Sequence, residues 1–284
     1  MPEFTTSNWT LTNQRNLDIL GNTEHPTTAP TSTLLLLHGF KGYKDYGFIP
    51  VLAKLLARAG ILVHRFNFSC SGMTNDIATF ARPDLFTLDT WTRQVEDTHC
   101  VLNAINNGTL EGRNLPMFIA GHSRGGATTL LTAAREPQPN LAGVITINAV
   151  DRCCGLSEDA QRKMLDDGYT TTPSARTGQE LRIDAPWLQE QLDDPDAHDI
   201  LKLCTTIKSP SLIMQGTDDP GIDIATGQRI ADAIGSVLQP IKGADHVLNT
   251  ANPAPVNGPF SPQLVWVRAQ IESFVDTNSN KTPI

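Results

Sequence analysis

Apolar and polar positions along this chain switch repeatedly between two periods. Leu17-Asp18-Ile19-Leu20 alternates and runs into turn residues ending in Pro26 and Pro30, which predicts a leading antiparallel hairpin within residues 1–31. Thr33 to Leu37 then reads as a buried strand, stopped by His38-Gly39-Phe40-Lys41-Gly42. Over 48–59 the period becomes helical, with Ile49, Leu52, Leu55, Leu56 and Ala59 on one face and Gly60 as the stop. A strand follows at Ile61–Phe68, then a loop at 69–74 and a second amphipathic helix over 88–105 that turns Leu88, Trp91, Val95, Leu102 and Ile105 inward. Strands at Leu115–Ala120 and Leu141–Ile147 flank a helix of small residues, Ala127–Ala134. After residue 203 the alternation resumes: strand Ser211–Gly216, helix Ile224–Ile234, strand Val237–Ile241, helix Pro262–Val275 and a loose tail at 278–284. Short apolar strands alternating with amphipathic helices predict a mostly parallel central sheet covered by helices on both faces.

The pattern breaks once. Residues 151–203 fit neither strand nor helix alternation and are predicted to form a lid inserted into a core made of 1–150 and 204–284. Between Glu158 and Asp199 there are 11 acidic and four basic residues, so most of the formal charge of −8 belongs to this insertion. Charge-rich runs are usually solvated helix faces. The apolar residues of the same stretch, Met164, Leu165, Leu181, Ile183, Trp187 and Leu188, are expected to roof a pocket, with Trp187 a candidate substrate contact. The acidic balance argues against nucleic-acid binding and against attraction to anionic membranes. The first thirty positions are polar in balance and lack an apolar core, and no apolar run is long enough to span a membrane, so a soluble cytoplasmic protein is expected. Five cysteines without paired or zinc-type spacing fit reduced thiols. The sequence leaves a homodimer open.

The candidate chemistry lies at Gly121-His122-Ser123-Arg124-Gly125-Gly126, between a buried strand and a helix. A Gly-x-Ser-x-Gly in that context is a nucleophile elbow: the serine sits on a sharp, strained turn whose neighbours must be small, and free N–H groups of the next helix can hold negative charge. A serine hydroxyl needs a base, and the base an orienting acid. Both should lie beyond the carboxyl ends of parallel strands. Of the histidines, His246 meets that condition best, with His198 in the insertion as a weaker alternative. His64 falls inside a strand, His99 on a helix, and the ring of His122 is expected to point away from the serine. For the acid, Asp218 and Asp219 both follow a buried strand. Asp219 is preferred, the other being the turn residue.

The order Ser123, Asp219, His246, together with His38-Gly39-Phe40 after the first long buried strand, resembles the α/β-hydrolase superfamily. Within it the motifs are most similar to small bacterial esterases of the cinnamoyl- and feruloyl-esterase type, and to proteins called dienelactone-hydrolase-like or serine-aminopeptidase-like. The resemblance implies an oxyanion hole from the N–H groups of Phe40 and Arg124, no metal, no organic cofactor and a small-molecule ester as substrate. It also implies hydrolysis of carboxylic esters of small or aromatic acyl groups through an acyl-enzyme on Ser123. An aminopeptidase or other amidase, an acyltransferase, and a non-catalytic binding protein of the same fold are the alternatives. Two departures stand out. Cys70-Ser71-Gly72-Met73-Thr74 replaces the family's Gly-x-Gly-x-Ser, which is expected to alter the wall of the site, and a serine stands at the elbow where dienelactone hydrolases have cysteine.

Overall fold

The leading hairpin is β1 (Phe4–Thr12) antiparallel to β2 (Asp18–Pro26). It joins a computed structural model that describes residues 4–279 except Pro137, Pro139 and Val256. The sheet continues through β3 (Ser32–Leu37), β4 (Ile61–Asn67), β5 (Met117–His122), β6 (Leu141–Ile147), β9 (Ser211–Gly216) and β10 (Leu238–Ile241). A small hairpin outside it supplies β7 (Tyr169–Pro173) and β8 (Glu180–Asp184). The eight strands lie in the order β1-β2-β4-β3-β5-β6-β9-β10, and from β4 to β10 every pairing is parallel.

The run Leu34-Leu35-Leu36-Leu37 shows why these strands carry almost no polar residue. Successive side chains of a strand point to opposite faces, and here both faces are covered. Leu34 and Leu36 pack with Phe48, Leu52 and Leu56 of the α1 side (Ile49–Arg58) and with Leu264, Val267 and Ile271 of α10 (Pro262–Ser279). Leu35 and Leu37 pack toward the opposite layer with Val95 and Leu102 of α3 (Trp91–Asn106), Leu130 of α4 (Arg124–Arg135) and Ile230 of α9 (Ile224–Ile234). The sheet is thus the middle of three layers, and the carboxyl ends of β5, β6, β9 and β10 open toward one edge.

Residues 151–203 contribute nothing to the main sheet. They form α5 (Glu158–Asp167), capped by Ser157 and closed by Gly168 at φ 79°, then the β7–β8 hairpin, α6 (Pro186–Asp193), and two short helices, α7 (Pro195–His198) and α8 (Ile200–Cys204). The hairpin is fastened to the layer beneath. Lys41 Nζ donates to Thr172 Oγ1 (3.1 Å) and to the Pro173 carbonyl (2.8 Å), and Gln179 exchanges hydrogen bonds with the backbone of Phe80. Leu181 inserts among Tyr43, Met73, Phe80 and Phe86, a separate apolar cluster that welds the hairpin to the 70–86 loop and α2 (Pro83–Phe86).

Several expectations shift. Leu88 does not face the core: α3 starts only at Trp91, with Thr90 as its cap accepting from the Arg93 N–H, so Leu88 lies exposed in the preceding turn. Leu165 is also exposed, while Met164 and Leu188 are buried without reaching the cavity described below. The last helix runs on through Asn278 and Ser279, where a loose tail was expected, and the rest of that tail, 280–284, lies outside the described residues. All five cysteines are free. Among the described residues no helix is long and apolar enough to cross a membrane.

Candidate active site

Ser123 stands between β5 and α4 with φ 55° and ψ −123°, a conformation that an L-residue adopts only when its surroundings hold it there. The surroundings are backbone. A Cβ on Gly121 would lie 2.1 Å from the Gly125 carbonyl oxygen, and one on Gly125 would lie 2.4 Å from that of His38. The glycines therefore let β5, the start of α4 and the end of β3 converge on one point. The Ser123 N–H donates to the Ile147 carbonyl of β6 (2.9 Å), which fixes the turn from the other side.

The structure brings His246 and Asp219 together. His246, in the loop after β10, places Nδ1 2.7 Å from Asp219 Oδ2. The other carboxylate oxygen accepts from the N–H groups of Gly221 (2.8 Å) and Ile222 (2.9 Å). Burial pushes this carboxyl up, but the His246 hydrogen bond, the His246 charge and those two N–H groups prevail and hold it below the usual carboxylate range. An ionised carboxylate only accepts, so Nδ1 carries the proton and Nε2 is left as an acceptor. The Asp219 side chain is fully buried while that of His246 is 31% exposed, so the imidazole is the part of the pair that meets a ligand. Asp218 is exposed and its carboxylate accepts from the Thr217 hydroxyl (2.7 Å), away from His246.

Three further residues brace this pair, of which the sequence assigns a role only to His38, as a structural loop residue. His122 does face away from the open side, yet its Nε2–H donates to the His246 carbonyl (2.7 Å), and the two rings lie 4.8 Å apart. Burial lowers His122 to about 3, so it is neutral and a fixed strut for the loop. Asn148, at φ 49° just after β6, donates through Nδ2 to the carbonyls of Asp245 (3.2 Å) and His246 (3.0 Å) and accepts from the Gly216 N–H (2.7 Å). It ties the ends of β6 and β9 to the histidine loop. His38, lowered by burial to about 4, donates from Nδ1 to the Gly39 carbonyl (2.9 Å) and accepts the Phe68 N–H at Nε2 (3.3 Å), holding the loop that carries Phe40. His198 is not brought to this pair: its Nδ1 donates to the Asp194 carbonyl (2.7 Å) and its Nε2 lies 3.5 Å from Glu190.

Phe40 follows β3 and Arg124 opens α4. No acceptor takes the Phe40 N–H among the described residues, and the Arg124 N–H belongs to the first helical turn, which has no intrahelical acceptor. Ser123 lies where two unequal cavities meet. The larger, about 810 Å³, is walled by Phe40, Arg124, Trp91, Trp187 and Ile183, with the Thr170–Thr172 strand of the hairpin above. The smaller, about 200 Å³, is lined by His246, Val247, Tyr46, Lys41 and Arg176. Of the six apolar residues expected to roof the pocket, Ile183 and Trp187 line the larger cavity. Among the described residues no cluster of three or more histidine, cysteine or acidic side chains could hold a metal ion.

A family model described as serine aminopeptidase, S33, matches residues 28–153, which include the Phe40 loop and the serine elbow. The fold extends that likeness over nearly the whole chain. Est1E from Butyrivibrio proteoclasticus, solved with ferulic acid bound, superposes with a TM-score of 0.71 at 16% identity, covering 95% of this chain and 99% of its own. The α/β hydrolase GrgF from Penicillium sp. sh18 gives 0.72 at 17% identity over 98% and 100% of the two chains. The esterase domain of a Rhodothermus marinus protein gives 0.66 at 18% over 97% and 100%. The chain has the α/β-hydrolase fold. No curated protein sequence matches it. Compared with the pattern expected of the α/β-hydrolase superfamily, the 70–74 loop departs without touching the site. None of Cys70–Thr74 lines either cavity, because Met73 is turned into the cluster beneath the hairpin.

Proposed function

We propose that the protein is a serine hydrolase that cleaves carboxylic esters, with Ser123 as nucleophile, His246 as general base and acid, and Asp219 as the group that orients the imidazole. The observation that carries this reading is the 2.7 Å contact of buried Asp219 with His246, whose ring lines a cavity that Ser123 also lines. Ser123 Oγ attacks the ester carbonyl carbon as His246 Nε2 takes its proton. The carbonyl oxygen becomes an oxyanion held by the N–H groups of Phe40 and Arg124, an arrangement worth ~10²–10³ in rate per donor in comparable sites. Collapse expels the alcohol, which receives the proton from His246. Water then attacks the acyl-enzyme by the same route and releases the acid.

The two cavities support a division of the substrate. The leaving oxygen must receive its proton from His246, so the alcohol belongs in the 200 Å³ cavity that His246 lines and the acyl group in the 810 Å³ cavity beside Phe40 and Arg124. Short alcohols and large acyl groups are the substrates this favours. An aminopeptidase reading would need acidic residues of the 158–199 stretch to grip a substrate amine, and none of them lines either cavity. The two aspartates that do line the larger one are occupied. Asp151 pairs with Arg152 (3.2 Å) and Arg229 (2.6 Å), and Asp223 caps α9 by accepting the Ala225 N–H.

Ethyl esters of graded acyl length, assayed beside an aminoacyl amide, test this. The proposal expects ester cleavage that rises with acyl length and falls by at least ~10⁴ in Ser123→Ala. Amide cleavage without ester cleavage, or an unchanged rate in the variant, overturns it.

A further inference from the structure

Two residues that line the acyl cavity carry buried hydrogen-bond donors that the protein itself leaves without a partner. The side chain of Arg124 is on its wall and 7% exposed, lying over the Trp91 ring at 4.5 Å and beside the Phe40 ring at 5.5 Å. Its Nη1 is 3.2 Å from the buried Asp89 carboxylate. Its Nε and Nη2 are buried and have no partner, and neither has Nε1 of Trp187 on the same wall. Leaving a buried donor unpaired costs about 1–3 kcal/mol, more for a charged group, so donors of this kind mark a place where something else binds. The charge of the wall points to what. Three arginines, 124, 152 and 229, line the cavity against two aspartates, 151 and 223, within a chain whose formal net charge is −8. Arg152 and Arg229 share the single carboxylate of Asp151.

We infer that the acyl group this cavity accepts carries a carboxylate, which the Arg124 side chain binds through Nε and Nη2, so that the preferred substrates are monoesters of dicarboxylic acids. A guanidinium presents Nε–H and one Nη–H in parallel, the geometry that receives a carboxylate with two hydrogen bonds. Arg124 would then act twice, its backbone N–H on the reacting oxygen and its side chain on the far end of the acyl group. Trp187 Nε1–H supplies a further donor to an oxygen of the same group. The neutral aromatic walls of Trp91 and Phe40 cover the methylene chain between.

This inference rests on the esterase reading, and the experiment separates the two. Monoethyl adipate and ethyl hexanoate differ in what ends the acyl chain. Their kcat/KM values, measured by chromatography of the released acid, give a ratio internal to each variant, so any change in the oxyanion hole cancels. The native protein is expected to favour monoethyl adipate about tenfold to a hundredfold. Arg124→Met should bring the ratio to one or below. Asp89→Asn, which removes the carboxylate competing for the guanidinium, should raise it severalfold. Calorimetric titration of Ser123→Ala should show monoethyl adipate binding more tightly than ethyl hexanoate, and more tightly still when Asp89→Asn is added. That arm needs neither turnover nor a folded Arg124 variant. Cleavage of ethyl hexanoate with a native ratio near one, or a ratio unmoved by Asp89→Asn, overturns the inference and leaves the esterase reading standing. Absence of cleavage of both esters overturns the esterase reading, and equal binding of the two in the calorimeter then overturns the carboxylate site as well.

Discussion

Asp218 and Asp219 are adjacent and chemically identical, yet only one of them touches His246. Sequence reasoning could rank them but could not separate them, because each is equally able to build the turn at Pro220-Gly221. The backbone decides: the N–H groups of Gly221 and Ile222 curl onto Asp219 Oδ1 and leave Oδ2 for the histidine. Asp219→Asn should therefore lower kcat by ~10⁴, because the amide offers an N–H where Nδ1–H needs an acceptor. Asp218→Asn should keep the rate within about threefold. Steady-state kinetics of the pair checks both. The role of His122 was hidden for a different reason. The motif shows a histidine inside the elbow, but its acceptor, the carbonyl of His246, is 124 positions away in sequence and is brought there only by the fold. Asn148 carried no local signal beyond its place after a strand. Asn148→Ala removes the partner of the Gly216 N–H and one of the two donors to the His246 carbonyl and should cost about 1–3 kcal/mol of stability, with a fall in kcat larger than the change in KM.

At the scale of elements, the strands and helices of the core were legible because hydrophobic period and glycine stops agree. The elbow shows how far that agreement goes. Its glycines are required by contacts under 3 Å with other backbone, so Gly121→Ala should destabilise by at least about 3 kcal/mol, read as a fall in Tm, even though alanine is only one carbon larger. The 151–203 segment was legible as a break in pattern but not as structure. Its short helices depend on caps and on contacts with the core that no periodicity reveals. Glu190 of α6 is the clearest of these: its Oε1 accepts the Trp91 N–H at 2.6 Å and the Thr92 N–H at 3.3 Å, at the amino end of α3. Burial pushes this carboxyl up, but the neighbouring His198, Thr92 and Thr90 prevail and hold it low. Since α3 begins with Trp91, on which Arg124 stacks, the contact couples the insertion to the wall of the larger cavity. Glu190→Gln keeps the shape and loses the charge at the helix terminus. It should lower stability by about 0.5–2 kcal/mol and raise KM for long-chain esters more than for ethyl acetate.

At the scale of the whole molecule, buried histidines set the response to acid. Burial lowers His38 and His64 to about 4 and His122 to about 3, and lowers His99 in the same direction. Each stays neutral in the folded chain and takes up a proton on unfolding once the pH drops below its ordinary value of 6.5, so each stabilises the fold less as pH falls toward its folded value. Burial raises Asp97 to about 6 and raises Asp89 also, and these two act in the opposite sense over the same range. His38, His64 and His122 each take up a proton on unfolding in this range and Asp97 gives one up, which leaves roughly two protons, so stability should fall by about 2.7 kcal/mol per pH unit at its steepest between pH 6 and 4. Denaturant midpoints across that range check it, and His64→Gln should make the slope shallower by about one proton.

Active-site labelling reads whether Ser123 is an activated nucleophile without choosing a substrate. A fluorophosphonate forms a bond from the serine oxygen to phosphorus and expels fluoride, so it marks only a serine that has been made reactive. Intact-mass analysis should show a single adduct on the native protein, mapped by peptide sequencing to Ser123, strongly slowed in His246→Ala and absent in Ser123→Ala. No adduct on the folded native protein, or equal labelling of Ser123→Ala, would mean that Ser123 is not the nucleophile.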